Sequence, residues 1–188
     1  MKLVLATRNA HKAREFAALL APHDVLALPA EVQLPPETGD TFAANALDKA
    51  RAAAGATGLP AIADDSGIEA AALGGAPGVR SARFAGEGAS DEENLAKLLR
   101  EAPAGSALAY VCALAYVDAG GSEHVVEGRC GGTLAAAPRG DGGFGYDPAF
   151  LPDDLPDGRT MAELEPAQKD AISHRGRAAR ALLAHLVQ

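Results

Sequence analysis

The chain has no tryptophan, only two cysteines among 188 residues, and no apolar run of the roughly 20 residues that a bilayer span requires. Two cysteines, Cys112 and Cys130, are too few for a disulfide framework and lack the paired spacing of a zinc site, so they read as reduced structural thiols. Basic residues are also in deficit. Seventeen Lys and Arg against 25 Asp and Glu give a formal charge of -8, which argues against general nucleic-acid binding, because affinity for a polyphosphate backbone comes from clustered cations. Met1 to Ala6 is a short apolar run that soon reaches Arg8, unlike a signal peptide, so we expect a cytoplasmic protein with no membrane partner.

What the chain has in quantity is alanine. Apolar residues make up 48% but aromatics only 4%, which predicts thin, helix-rich packing. A chain of this length removes roughly 70% of its unfolded surface from water on folding, enough for its own core. No internal repeat or linker divides it, and we expect a single domain over residues 1–188.

Local patterns give a sequence of elements. Leu3 to Ala6 reads as a buried strand, followed by a polar turn and a helix whose apolar positions are Ala13, Phe16, Ala17 and Leu20. Val25 to Leu28 suggests a second strand. Thr41 suits the N-cap of a helix running to about Ala54, stopped by Gly55, Gly58 and Pro60. Ala61 to Ala63 is a short strand ending in Asp64 and Asp65, with Ser66 and Gly67 as the exit turn. Ser90 and Glu93 have capping-box spacing ahead of Leu95, Leu98 and Leu99, and that helix should stop before Pro103. Ala107 to Val117, a turn at Asp118 to Gly121, and His124 to Arg129 predict a hairpin, while about Pro166 to Leu186 reads as one helix. Strands mixed with helices and a hairpin imply an α/β fold with a mixed sheet and flanking helices.

Four groups of residues have chemical potential. Thr7, Asn9 and Lys12 lie where a strand gives way to a helix, a place for phosphate oxygens, although Asn9 serves equally well as a helix cap. Asp64 and Asp65, with Glu37, offer the hard oxygen ligands that Mg²⁺ prefers; the alternative is a solvated Asp-rich turn. GDGGFG at Gly140 to Gly145 formally fits a dinucleotide fingerprint, but Tyr146, Asp147 and Pro148 follow it and demand a loop rather than a helix start. Such a loop can bring Phe144 against a base, or anchor Phe144 and Tyr146 in the core. Lys169, Ser173, His174 and Arg175 form a polar cluster, either a solvated helix face or donors for a carbonyl-bearing base.

Together TRNAHK, LPPETGDTFAANALDKA, ADDSG with LGGAPGVRSARFAG, GGFGYDPAF and QKDAISHRGRA, in that order from Leu3 to about Leu183, resemble the inosine triphosphate pyrophosphatase family. The resemblance implies two lobes around a central cleft, a homodimer, and Mg²⁺-dependent hydrolysis of ITP, dITP and XTP to the monophosphate and pyrophosphate, which cleanses the nucleotide pool. It implies that Thr7, Arg8, Asn9, Ala10, His11 and Lys12 lie along the phosphates. Glu37, Asp64 and Asp65 would serve the metal, with Asp65 as the proton acceptor. Lys49, Ser66 and Lys169 would complete the phosphate and substrate contacts, and Phe144, Gly145, Tyr146, Asp147, His174 and Arg175 would surround the base. Arg8 and His11 fill positions where relatives often carry glycine, and their bulk is expected to alter phosphate contacts. Two alternatives remain: a related enzyme for modified pyrimidine nucleotides, and a nucleotide sensor without turnover.

Overall fold

The structure, a computed structural model, describes residues 1–187. Among these, strands β1 (Lys2–Leu5), β2 (Asp24–Ala27), β3 (Ala61–Ala70), β4 (Ala107–Val117), β5 (Glu123–Leu134) and β6 (Phe150–Pro152) form a six-stranded sheet in the order β2-β1-β3-β4-β5-β6. The sheet is mixed, as the pattern predicts. β1 pairs in parallel with β2, Leu5 opposite Ala27, and with β3, Leu5 opposite Ile62, whereas β5 runs antiparallel to β6. β4 and β5 are sheet neighbours joined by a short turn, which only an antiparallel pair allows; Asp118 closes it by accepting from Gly120 and Ser122.

Among the described residues the helices are α1 (Ala10–Leu19), α2 (Phe42–Thr57), α3 (Asp91–Glu101), α4 (Pro166–Ile172) and α5 (His174–Leu186), and none is long and apolar enough to cross a membrane. Their starts follow local chemistry. Thr41 caps α2 by accepting from Ala44 N–H at 3.1 Å, and Ser90 with Glu93 completes the capping box of α3.

Three expectations are corrected. Gly55 does not stop α2, which runs on to Thr57; the stop is Gly58, whose φ of +67° lets its N–H reach Ala54 O at 2.8 Å. Ser66 and Gly67 do not turn the chain, because β3 continues to Ala70 and sheet pairing overrides their turn preference. The C-terminal segment is two helices. Ser173 takes an extended conformation, φ -64° and ψ 157°, and separates α4 from α5.

The chain forms two compact units, each discontinuous in sequence. The first comprises Met1–Asp65, Cys112–Gly128 and the chain from Arg175 on; its core includes Leu3, Phe16, Leu20, Ile62, Leu114 and Leu182. The second comprises Ser66–Val111 and Arg129–His174, with Ile68, Leu98, Tyr110, Leu134, Phe150 and Met161 at its core.

Candidate active site

In the first unit, the turn after β1 is organised by its own side chains. Asn9 Oδ1 accepts from the backbone N–H groups of His11 and Lys12 at 2.9 and 3.2 Å, and Thr7 Oγ1 accepts from Asn9 N–H at 3.1 Å. Capping by Asn9 is therefore realised, and it fixes the start of α1 so that Lys12 Nζ lies 2.8 Å from Asp64 Oδ2. Ala10 is exposed on the first turn of α1. His11 is also exposed, its Nδ1 2.9 Å from Arg14 Nη2. Arg8 turns to the chain that follows β2, donating to the carbonyls of Leu28, Pro29, Ala30 and Val32 at 2.7 to 3.2 Å. Its bulk is thus engaged in holding that segment.

Asp64 and Asp65 are consecutive residues of β3, so their side chains leave opposite faces of the strand. Both are buried. Asp64 meets cations: besides Lys12, Arg175 Nε stands 3.6 Å from Asp64 Oδ2, while Arg175 Nη1 donates to Glu15 Oε2 at 3.1 Å. Burial pushes the Asp64 carboxyl towards a higher pKa, but Lys12, Arg175 and Lys49 together hold it well below the usual carboxylate range. Asp65 has weaker support. Its Oδ2 accepts from Asn45 Nδ2 at 2.8 Å, yet burial, aided by the Glu37 charge, leaves its pKa above the ordinary value.

α2 supplies both Asn45 and Lys49, four residues apart and so on one face. Asn45 Oδ1 accepts from Gly39 N–H at 2.8 Å, which ties the segment carrying Glu37 to the amide that holds Asp65. Lys49 Nζ donates to Asp64 O at 2.7 Å and pairs with Glu37. Burial pulls the Lys49 pKa down, but Asp64 and Glu37 more than offset this and leave it raised. The cations Lys12, Lys49 and Arg175 thus stand among four carboxylates, Glu15, Glu37, Asp64 and Asp65. Among the described residues, no three His, Cys, Asp or Glu side chains converge as a ready-made metal cage.

The second unit assembles a separate group. Gly140 to Gly145 is an irregular loop with neither strand before it nor helix at it, in keeping with the rejection of the dinucleotide fingerprint. Asp147, buried just beyond it, accepts from Phe144 N–H at 3.0 Å and Lys169 Nζ at 2.8 Å through Oδ2, and from Tyr110 Oη at 3.0 Å through Oδ1. Only glycine fits at Gly143: its φ is +69°, and a Cβ there would sit 2.0 Å from Asp147 Oδ2. Lys169 Nζ also lies 4.9 Å from the centre of the half-buried Phe144 ring. Gly145 N–H donates to Asp91 at 2.8 Å. Tyr146 is a core anchor, its hydroxyl donating to Ser81 O at 2.6 Å. Ser66 is half-buried in β3, and the buried His174 ring stacks on Tyr110.

The expected residues therefore fall into two groups, Thr7 to Lys12, Glu37, Lys49, Asp64, Asp65 and Arg175 in the first unit, and Ser66, Phe144 to Asp147, Lys169 and His174 in the second. Sequence reasoning missed Glu15, Asn45 and Tyr110. Glu15 and Asn45 had a signal, since Glu15 lies three residues from Lys12 on α1 and Asn45 four from Lys49 on α2. Tyr110, within the apolar run of β4, had none.

Comparison with known proteins gives the family. The chain is 50% identical over 192 residues to a dITP/XTP pyrophosphatase of Streptomyces coelicolor, covering 97% of this chain and 95% of the relative. It is 51% identical over 187 residues to a dITP/XTP pyrophosphatase of Geobacillus kaustophilus, covering 94% and 90%. The solved structure of a HAM1 protein from Coxiella burnetii superposes with a TM-score of 0.88 at 40% identity, covering 100% of this chain and 98% of the other. The Ham1 family model matches residues 3–185, and the chain belongs to the Ham1 family.

Proposed function

We propose that this protein hydrolyses non-standard purine nucleoside triphosphates, ITP, dITP and XTP, to the monophosphate and pyrophosphate. The observation that carries the reading is the pair of adjacent buried carboxylates with opposed proton affinities, set among Lys12, Lys49 and Arg175. Relatives at about half identity bear the name dITP/XTP pyrophosphatase, which supports the substrate class.

Water attacks the α-phosphorus in line with the bridging oxygen that joins it to the β-phosphorus; that bond breaks, and pyrophosphate leaves with the electron pair. Asp65 takes the proton of the attacking water, for which a carboxylate made more basic by burial is suited. Asp64, held ionised by its cations, cannot compete for that proton. Lys12 and Lys49 exchange their carboxylate partners for phosphate oxygens and offset the growing charge on the leaving group.

Four carboxylates against three cations would repel a triphosphate, and this excess of hard oxygen donors fits Mg²⁺. Glu37, Asp64 and Asp65 would hold the ion, with waters and substrate oxygens as its remaining ligands. When bound, Mg²⁺ neutralises phosphate charge and acts as a Lewis acid.

The second unit's group takes the base. Phe144 offers an aromatic face, and His174 donates to the carbonyl oxygen that distinguishes hypoxanthine and xanthine from adenine. Facing the adenine amine, that donor would be left unpaired, and sites built on such bonds can reject the wrong group by about 10⁴-fold. The Arg175 fork is already engaged with Glu15 and Asp64, so we assign it to the carboxylate group and base reading to His174.

Hydrolysis of ITP in ¹⁸O-labelled water tests the chemistry. Label in the monophosphate, with unlabelled pyrophosphate as co-product, is expected; label in inorganic phosphate with a diphosphate would contradict it. Binding without product would favour the sensor reading.

A further inference from the structure

Tyr110 is buried in the core of the second unit, on β4, and two polar groups rest on it. Its hydroxyl donates to Asp147 Oδ1 at 3.0 Å. Its ring lies flat against the His174 imidazole, centroids 4.6 Å apart and planes within 6°. Phe150 backs the same ring at 4.6 Å, tilted by 40°.

The torsions that set the planes of a histidine ring and an aspartate carboxylate are broad, so rotamer preference alone fixes neither. An imidazole N–H points within its ring plane; whatever sets that plane therefore aims the donor. For His174 the parallel Tyr110 ring restrains that plane. Asp147 is held by Lys169 and Phe144 N–H at one oxygen and by the Tyr110 hydroxyl at the other, so its plane is pinned from both ends. Lys169 and Phe144 are in turn fixed against that carboxylate.

We propose that Tyr110 is a positioning residue for base selection, one side chain that aims the His174 donor through its ring and locks Asp147 through its hydroxyl. This rests on the function proposed above. The two contacts separate cleanly by substitution: Tyr110→Phe keeps the stack and loses the hydroxyl bond, whereas Tyr110→Leu loses both.

The test is kcat/KM for ITP and for ATP, with Mg²⁺, for the full-length wild type and both variants, with the ring-proton shifts of His174 read by NMR without ligand. We expect Tyr110→Phe to lower the ITP-to-ATP ratio about fivefold, as loss of a single hydrogen bond would. Tyr110→Leu should lower it by about a further threefold, in line with an aromatic contact. The loss should lie in KM for ITP rather than in kcat. The His174 shifts should be retained in Tyr110→Phe and move downfield in Tyr110→Leu as the ring current is lost. An unchanged ITP-to-ATP ratio in Tyr110→Phe, or an equal fall in kcat for both nucleotides, would reduce Tyr110 to a packing residue and overturn the proposal. A wild type that does not prefer ITP to ATP would instead remove the functional reading beneath it.

Discussion

Asp64 and Asp65 are neighbours on one strand, yet Asp64 is driven towards ionisation by Lys12 and Arg175 while Asp65 is driven towards protonation by burial. Strand geometry is the cause, because it sends the first side chain to the cations and the second to Asn45. A division of labour follows, with Asp64 a permanent anion and Asp65 a base.

Asp65→Asn keeps size and shape but cannot accept the proton. Loss of a general base typically costs 10²- to 10⁴-fold, so kcat for ITP should fall by at least about 100-fold with the circular dichroism spectrum unchanged. Turnover within a few-fold of wild type would remove Asp65 from the chemistry.

The same substitution should stabilise the fold. Because the folded-state pKa of Asp65 is raised, its ionised form is disfavoured by folding. That destabilisation is absent below the unfolded pKa of about 3.9, grows as pH rises towards the folded pKa, and is complete above it. In EDTA, Asp65→Asn should therefore have a higher Tm than wild type at pH 8, with the gap closing as pH approaches 4. A variant less stable than wild type at pH 8 would contradict the assigned shift.

Arg175→Ala removes a counter-charge from Asp64 and Glu15. Activity should fall by a similar factor on ITP and on ATP, measured as kcat/KM for each. A loss confined to ITP would return Arg175 to base reading.

Gly143→Ala forces a side chain into the left-handed region and against the Asp147 carboxylate. The strain should cost about 1–3 kcal/mol of stability, read by urea unfolding, and KM for ITP should rise as Asp147 is displaced. An unchanged KM would show that Asp147 does not contribute to the base site.

Much of this fold is legible locally. Thr41, the Ser90 and Glu93 box, and the Asp118 turn each act within a few residues, so their chemistry can be read in place. Where the reading fails, a distant partner decides. Ser66 and Gly67 favour a turn by themselves, but the sheet extends β3 through them. Ser173 breaks what helical spacing presents as one helix, giving His174 and Arg175 the start of α5. For the site, acids and lysines were visible as residue types, whereas the groups that hold them were not. Asn45 meets Asp65 across 20 residues, and Tyr110 meets Asp147 across 37, contacts that no local pattern encodes. Arg8 shows the converse, since its place in the first motif suggested phosphate while its geometry serves the carbonyls after β2.

Pyrophosphate release from ITP, dITP, XTP, GTP and ATP, each assayed with Mg²⁺ and with EDTA, reads the proposed chemistry and its base selectivity together. We predict Mg²⁺-dependent release from the first three and little from ATP. Equal release from ATP, or release undiminished by EDTA, would rule out a metal-dependent, base-selective pyrophosphatase.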